Sequence, residues 1–240
     1  MASLYSTQRG YFKKAYQTGE HGWPVEGPSQ PVKRFLRQHK HKKERSGERV
    51  LDIGCGEGRH TRLFSEKGYF SVGLDYQPLA IARAREIGKR RGMTRPVFFA
   101  IGDVFHLPFR AGAFGILLDY GCLHHVKKSD FGRYLKSVLS VLSDGGYFLL
   151  SCFSTRFRHH PGERRRRDWL VHRGHYDRFF RKSDFRALFG RDFDILSVEE
   201  ERQELYAFYH VLMRKKQAGE KPEGSTRRPA RETGDSMPEA

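Results

Sequence analysis

Val50-Leu51-Asp52-Ile53-Gly54-Cys55-Gly56-Glu57-Gly58-Arg59 is the stretch from which the rest of the chain is read. Val50, Leu51 and Ile53 form a short apolar run that reads as a buried strand. Gly54, Gly56 and Gly58 follow at alternate positions. Lacking a Cβ, they let the backbone turn tightly and approach a ligand closely. His60-Thr61-Arg62-Leu63-Phe64 then opens a helix, whose N-terminus favours an anionic group. Strand, glycine turn and helix in this order suit a nucleotide-type ligand. A dinucleotide-binding G-x-G-x-x-G would need glycine where Arg59 stands, and a phosphate-binding P-loop would need Gly-Lys-Ser/Thr, which is absent.

The pattern continues outward. Residues 70–74 read as a second strand ending at Asp75-Tyr76. A carboxylate at a strand's C-terminal end, about 20 residues after the glycine loop, is placed to accept hydrogen bonds from ribose hydroxyls. Pro78 suits the first turn of a helix running to about Arg91. Residues 97–101 read as a third strand, followed by Gly102-Asp103-Val104. Residues 114–118 read as a fourth, ending in Asp119-Tyr120-Gly121-Cys122-Leu123-His124-His125. Ser129-Asp130 is expected to cap a helix with Phe131, Leu135, Val138, Leu139 and Leu142 on its apolar side. Residues 147–152 supply a fifth strand, and residues 193–198 and 205–213 a closing pair.

The D-x-G-x-G-x-G form resembles motif I of the class I S-adenosylmethionine-dependent methyltransferases, and the downstream pieces occur in that family's order over about positions 15 to 213. The resemblance implies an α/β fold, a Rossmann-like seven-stranded, mostly parallel sheet with helices on both faces and the last strand antiparallel. It implies S-adenosylmethionine as co-substrate, with Asp52, Gly54, Cys55, Gly56 and Gly58 around its amino-acid end, Asp75 at the ribose and Tyr76 among the cofactor-binding residues. It puts Asp103 at the adenine amino group, the Val104 backbone N–H at a ring nitrogen, and Asp119 and Tyr120 beside the cofactor at the end of strand four. Residues 22–28, Gly-Trp-Pro-Val-Glu-Gly-Pro, precede a helix expected from Ser29 or Gln30 to about His41, with Val32, Phe35 and Leu36 on one face. They resemble the N-terminal segment of the thiopurine-methyltransferase-like branch, although Pro24 stands where that branch commonly has Asp. By that resemblance Trp23 covers the cofactor or the substrate; otherwise it is an aromatic that only docks the segment. The implied organisation is a lid segment and helix over residues 1–48, a cofactor-binding domain over 49–213 with a basic insert at 153–182, and a tail at 214–240. The tail lacks apolar anchors and is expected to be disordered.

Two functions compete. The Asp/Asn-Pro-Pro-aromatic tetrad of nucleic-acid amino-methyltransferases is missing at strand four, as is the Pro-Cys nucleophile of cytosine-carbon methyltransferases. The run at 119–125 resembles small-molecule branches instead. The expectation is methyl transfer to a small molecule, with a soft nucleophile such as a thiol favoured because it needs little acid–base help. An oxygen or nitrogen acceptor would want a base, and His124 and His125 are the candidates. Against this stands a formal net charge of +17, with basic clusters at residues 40–45, 89–95, 164–167 and 214–216. These suit either a solvated surface or an RNA-binding or RNA-modifying protein that uses the basic loop 156–173.

Histidines at 159, 160, 172 and 175 raise the question of a metal, but no helical His pair with an added carboxylate is visible, so none is expected. Three cysteines without a C-x-x-C pair argue against a disulfide framework or a zinc site. No stretch approaches the roughly 20 apolar residues of a membrane span, and the N-terminus lacks a signal-peptide core. A cytoplasmic protein without a membrane partner is the default, as a monomer or a homodimer.

Overall fold

In the computed structural model, residues 3–20, 23, 27–39, 48–93 and 95–217 are described. The chain begins with helices α1 (Leu4–Thr18) and α2 (Gln30–Gln38). The alternating part follows: β1 (Arg49–Ile53), α3 (Arg59–Glu66), β2 (Phe70–Asp75), α4 (Pro78–Arg90), β3 (Val97–Ile101) and β4 (Phe114–Tyr120). A 3₁₀ turn, Leu123–His125, leads towards α5 (Phe131–Val141) and β5 (Leu142–Phe153). The hairpin strands β6 (Trp169–His172) and β7 (His175–Arg178) precede α6 (Lys182–Phe189), β8 (Phe193–Gln203) and β9 (Tyr206–Lys215).

The main sheet runs β3-β2-β1-β4-β5-β9-β8. The first five strands are mutually parallel, and β9 lies antiparallel to both β5 and β8. Successive strand side chains point to opposite faces, which explains the near-continuous apolar strands of a sheet covered on both sides. Val50, Ile116, Leu118, Tyr147 and Leu149 pack with Val32, Phe35, Leu63 and Phe64 of α2 and α3. Their neighbours Leu51, Leu117, Phe148 and Leu150 pack on the other face with Tyr134, Val138, Phe185 and Phe189 of α5 and α6. No helix among the described residues is long and apolar enough to cross a membrane.

Four features differ from the sequence expectation. Helix α1 was not anticipated. Ser3 caps it by accepting the Ser6 N–H at 3.2 Å, and Gly19 ends it at φ 74°. Its inner stripe mixes Gln8 and Tyr16 with Ala15, too polar to register as an amphipathic face. Asp130 stands at the start of α5 but makes no capping bond; its carboxylate accepts the Tyr5 hydroxyl of α1 at 2.9 Å. The basic insert 153–182 holds the β6–β7 antiparallel hairpin, with Phe179 and Phe180 fully buried beneath it. Strand β9 runs past 213, and the Lys215 ammonium donates to the carbonyls of Leu139 (3.0 Å) and Leu142 (2.8 Å). The basic cluster at 40–45, residues 22 and 24–26 of the Trp23 segment, and residues 218–240 of the expected tail lie outside the described residues.

Candidate active site

The C-terminal ends of the parallel strands, where open α/β sheets bind ligands, open into a cavity of about 610 Å³. Its volume suits a small-molecule ligand. Helix α1 and Trp23 lie over it.

One half is built by the glycine loop. Gly54 and Gly56 have φ of 66° and 54°, in the left-handed region. A Cβ on Gly54 would lie 2.9 Å from the Cys122 Cβ, and one on Gly56 would lie 2.9 Å from the Tyr16 hydroxyl. These glycines, with Cys55 between them, form a cavity wall. Gly58 does not reach the cavity; a side chain there would collide with the Phe99 ring, so its requirement is one of packing. Asp52 lines the cavity, but its carboxylate also accepts the Thr61 N–H (3.1 Å) and hydroxyl (2.6 Å), tying the loop to α3. Burial pushes its pKa up to about 7, against the pull of those bonds.

Asp75 accepts the N–H groups of Gly56 (3.0 Å) and Gln77 (2.8 Å), which fixes the carboxylate against the loop. A carboxylate has about four acceptor sites, so capacity remains for a ligand. Burial pushes Asp75 up to about 6. Tyr76, Asp103, Val104 and Tyr120 also line this half. The Tyr76 hydroxyl is buried without a hydrogen-bond partner. Asp103 pairs with Arg9 of α1 at 3.0 Å and accepts the Phe105 N–H. Asp119, expected beside the cofactor, lies behind the wall. It accepts the N–H groups of Cys122 (2.8 Å) and Leu123 (3.2 Å) and the Tyr134 hydroxyl (2.6 Å), so it shapes the turn after β4.

The other half carries imidazoles and aromatic rings. The two adjacent histidines part company here. His124 is buried, its Nδ1 accepts the Phe153 N–H at 3.3 Å, and its ring stacks on Phe153 at 3.6 Å. Burial holds its pKa well below the usual imidazole value, so it is a neutral packing group. His125 turns towards Asp177 of β7, Nδ1 to carboxylate 3.0 Å. His159 and His175 reach the same carboxylate at 2.9 and 3.1 Å. Burial alone would raise the Asp177 pKa, but the three imidazoles together hold it well below the carboxylate range.

Helix α1 joins the halves. Phe12 meets Tyr76 at 6.2 Å on one side and His125 at 5.0 Å on the other, and Trp23 packs 5.6 Å from both Phe12 and Tyr16. Gln8 donates to the His125 carbonyl (3.2 Å) and accepts the Tyr176 N–H (3.1 Å), clasping the 3₁₀ turn to β7. The residues that sequence reasoning missed are those of α1 and Asp177. For Asp177 a signal existed: His175 and Asp177 alternate on β7 and so share a face.

The comparisons with known proteins show the family. A family model described as a methyltransferase domain matches residues 50–146. An uncharacterized methyltransferase of Schizosaccharomyces pombe is 32% identical over 122 residues, 49% of this chain and 83% of that protein. The chain belongs to the class I S-adenosylmethionine-dependent methyltransferases. A 2-heptyl-1-hydroxyquinolin-4(1H)-one methyltransferase of Mycobacteroides abscessus is 28% identical to this methyltransferase over 131 residues, 55% of each chain. The match thus spans about half the length of that relative. Among solved structures, the 1,6-didemethyltoxoflavin-N1-methyltransferase of Burkholderia thailandensis, with bound 1,6-didemethyltoxoflavin and S-adenosylhomocysteine, superposes with a TM-score of 0.71. The superposition covers 90% of this chain and 92% of that one, at 24% identity.

The residues present fit the family's cofactor. The methyltransferase has a loop cradle that a Cβ would fill, acceptor capacity on Asp75, and an unpartnered Tyr76 hydroxyl in one wall.

Proposed function

We propose that this protein transfers the methyl group of S-adenosylmethionine to a nitrogen or oxygen of a small planar heterocycle. The observation that carries the reading is one continuous cavity, with the glycine loop at one end and an imidazole and aromatic wall at the other. When bound, S-adenosylmethionine supplies an electrophilic methyl on its sulfonium. Asp75, Tyr76, Asp103 and the loop backbone would hold it. The chain's own contribution is orientation and exclusion of water, which together remove a large part of the barrier of a displacement. Phe12, Phe157 and Phe208 line the cavity and supply aromatic surface against which a flat acceptor can pack. Trp23 closes the pocket from above, beside Phe12 and Tyr16.

His125, rather than His124, meets the acceptor. Both rings line the cavity with Nδ1 engaged, but His124 is buried and stacked on Phe153, whereas His125 keeps a partly exposed ring in the wall. A wall lined by imidazoles, which can donate or accept hydrogen bonds, suits a nitrogen or oxygen acceptor better than the thiol favoured on sequence grounds, which needs no such help. The hydroxyquinolinone named for the bacterial relative is of this chemical class.

The RNA reading is weakened by the fate of Arg165. Its guanidinium pairs with Glu163, stacks on Phe179 and donates to the Thr155 carbonyl at 3.1 Å, so the middle of the basic run is structural. The test is transfer of labelled methyl from S-adenosylmethionine into host-cell extract split into small-molecule and RNA fractions. Label in the small-molecule fraction is expected. Label confined to RNA would overturn the proposal.

A further inference from the structure

We propose that His125, His175 and Asp177, with His159 beside them, form a binding site for a divalent transition-metal ion in the acceptor wall. One ligand atom from each of the first three lies within 4.8 Å of the others. They come from two separate elements. His175 and Asp177 are alternate residues of β7 and share a face, while His125 ends the 3₁₀ turn after β4. His159 arrives from the loop after β5, its Nε2 2.9 Å from Asp177.

One of these contacts, His159 Nε2 to Asp177 Oδ2, is a hydrogen bond, yet the buried cluster is not fully satisfied. The Asp177 side chain is fully buried, and its Oδ1 accepts no hydrogen bond although the His125 Nδ1 lies 3.0 Å away. The His175 Nε2 lies 3.1 Å from Oδ2, and the other ring nitrogen, Nδ1, is buried without a hydrogen-bond partner. The ligand atoms of His125, His175 and Asp177 gather within 4.8 Å of one another around a carboxylate oxygen that has no hydrogen-bond partner, an arrangement that a cation between them completes. The His125 Nδ1 also lies 3.1 Å from the Tyr176 carbonyl, a bond that coordination would replace.

The surroundings hold the rings in place. Tyr11 stacks on His175 at 4.1 Å and His172 on His159 at 4.3 Å. The Gln8 amide clasps the backbones that carry His125 and Asp177. Two imidazoles and a carboxylate select zinc, cobalt, nickel, iron or manganese over magnesium or calcium. His125, His159 and His175 face the cavity while Asp177 stands behind them, so a remaining coordination position points to where an acceptor's oxygen or nitrogen would lie.

Metal binding is read independently of methyl transfer. The full chain is stripped with a chelator and titrated with Zn²⁺ against a chromophoric competitor, then with Co²⁺ by visible absorption. One equivalent bound at micromolar affinity or tighter, with ligand-field bands, is expected. Asp177→Asn and His175→Ala should each weaken binding at least about tenfold, while His172→Ala, which removes only a stacking partner, stays within a few-fold. Each variant is checked by thermal melting and by calorimetry with S-adenosylhomocysteine; one that does not melt cooperatively is replaced by His125→Gln or His159→Gln. No saturable binding by the wild type, or binding unchanged in the folded variants, overturns the site. Absence of metal binding alongside normal S-adenosylhomocysteine affinity removes the metal site alone, and absence of S-adenosylhomocysteine binding by the wild type counts against the methyltransferase reading instead.

Discussion

The cofactor half of the cavity draws on residues 52–57, 75–77 and 102–104, which stand at the ends of neighbouring strands of one sheet. The acceptor half draws on α1, the 3₁₀ turn after β4, the loop after β5 and the β6–β7 hairpin. In the first, each residue is placed by the strand it follows. In the second, residues more than a hundred positions apart, such as Gln8 and His125, must dock before any site exists. The cofactor half should therefore tolerate damage to the acceptor half, while the roof over both should tolerate little.

Removing residues 1–28 tests that difference at its largest. It deletes Phe12, Gln8 and Trp23 together and opens both halves to water. Methyl transfer should fall at least about 100-fold, the scale on which small misplacements at a reacting centre act. The sheet should still melt cooperatively, because its two core faces are formed by other helices. A truncated protein of full activity would show that α1 is a bystander and that the halves are independent.

Replacing one histidine of the adjacent pair at a time separates wall from packing. His125→Ala should lower transfer about 100-fold and leave S-adenosylhomocysteine affinity unchanged. His124→Ala should instead lower the melting temperature, since it removes a ring stacked 3.6 Å from Phe153. The reverse pattern, read by steady-state kinetics and calorimetry, would exchange their roles.

Asp75→Ala strikes the cofactor half. A hydrogen bond to a charged group is worth about 1.5–3 kcal/mol, so affinity for S-adenosylhomocysteine should fall roughly 10- to 100-fold. Burial raises Asp75 to about 6. Its carboxylate is charged above that pH and accepts hydrogen bonds; as pH falls through about 6 it takes up a proton and loses that capacity. Affinity should therefore drop below pH 6 by up to about tenfold per unit, and Asp75→Asn should flatten the step. An unchanged pH profile in the variant would remove Asp75 from the ribose position.

The same contrast explains what could be read from the sequence. That Asp75, Asp103, Gly54 and Gly56 would share one cavity was legible because a strand end and a following turn fix their positions within a few residues, whereas Gly58 serves packing against Phe99. Asp119 was misplaced by the same logic: it does end a strand, but three donors, one of them Tyr134 from α5, draw it behind the wall. Helix α1 was not legible because its inner stripe is polar and pairs with partners more than a hundred residues away. The His–Asp cluster has no helical His pair to signal it in the sequence, because the fold assembles it from a strand, a turn and a loop.

The smallest effect is expected in the basic insert, where the +17 charge leaves a solvated surface and a polyanion contact both open on sequence grounds. Arg164, Arg166 and Arg167 are exposed, whereas the Arg165 side chain is 8% exposed and packed on Phe179. Replacing the three exposed arginines with serine should change stability by no more than about 0.5 kcal/mol and leave small-molecule transfer within about twofold. It should also reduce RNA retention at low salt, in a manner that vanishes as salt is raised, because only phosphate charge is being met. Arg165→Ala should behave differently and lower the melting temperature, since it leaves the Glu163 carboxylate, 3% exposed, without its guanidinium. Loss of transfer in the triple variant would extend the acceptor half out to the loop, and then the separation between a locally built cofactor side and a remotely assembled acceptor side would have to include a third, solvent-facing layer.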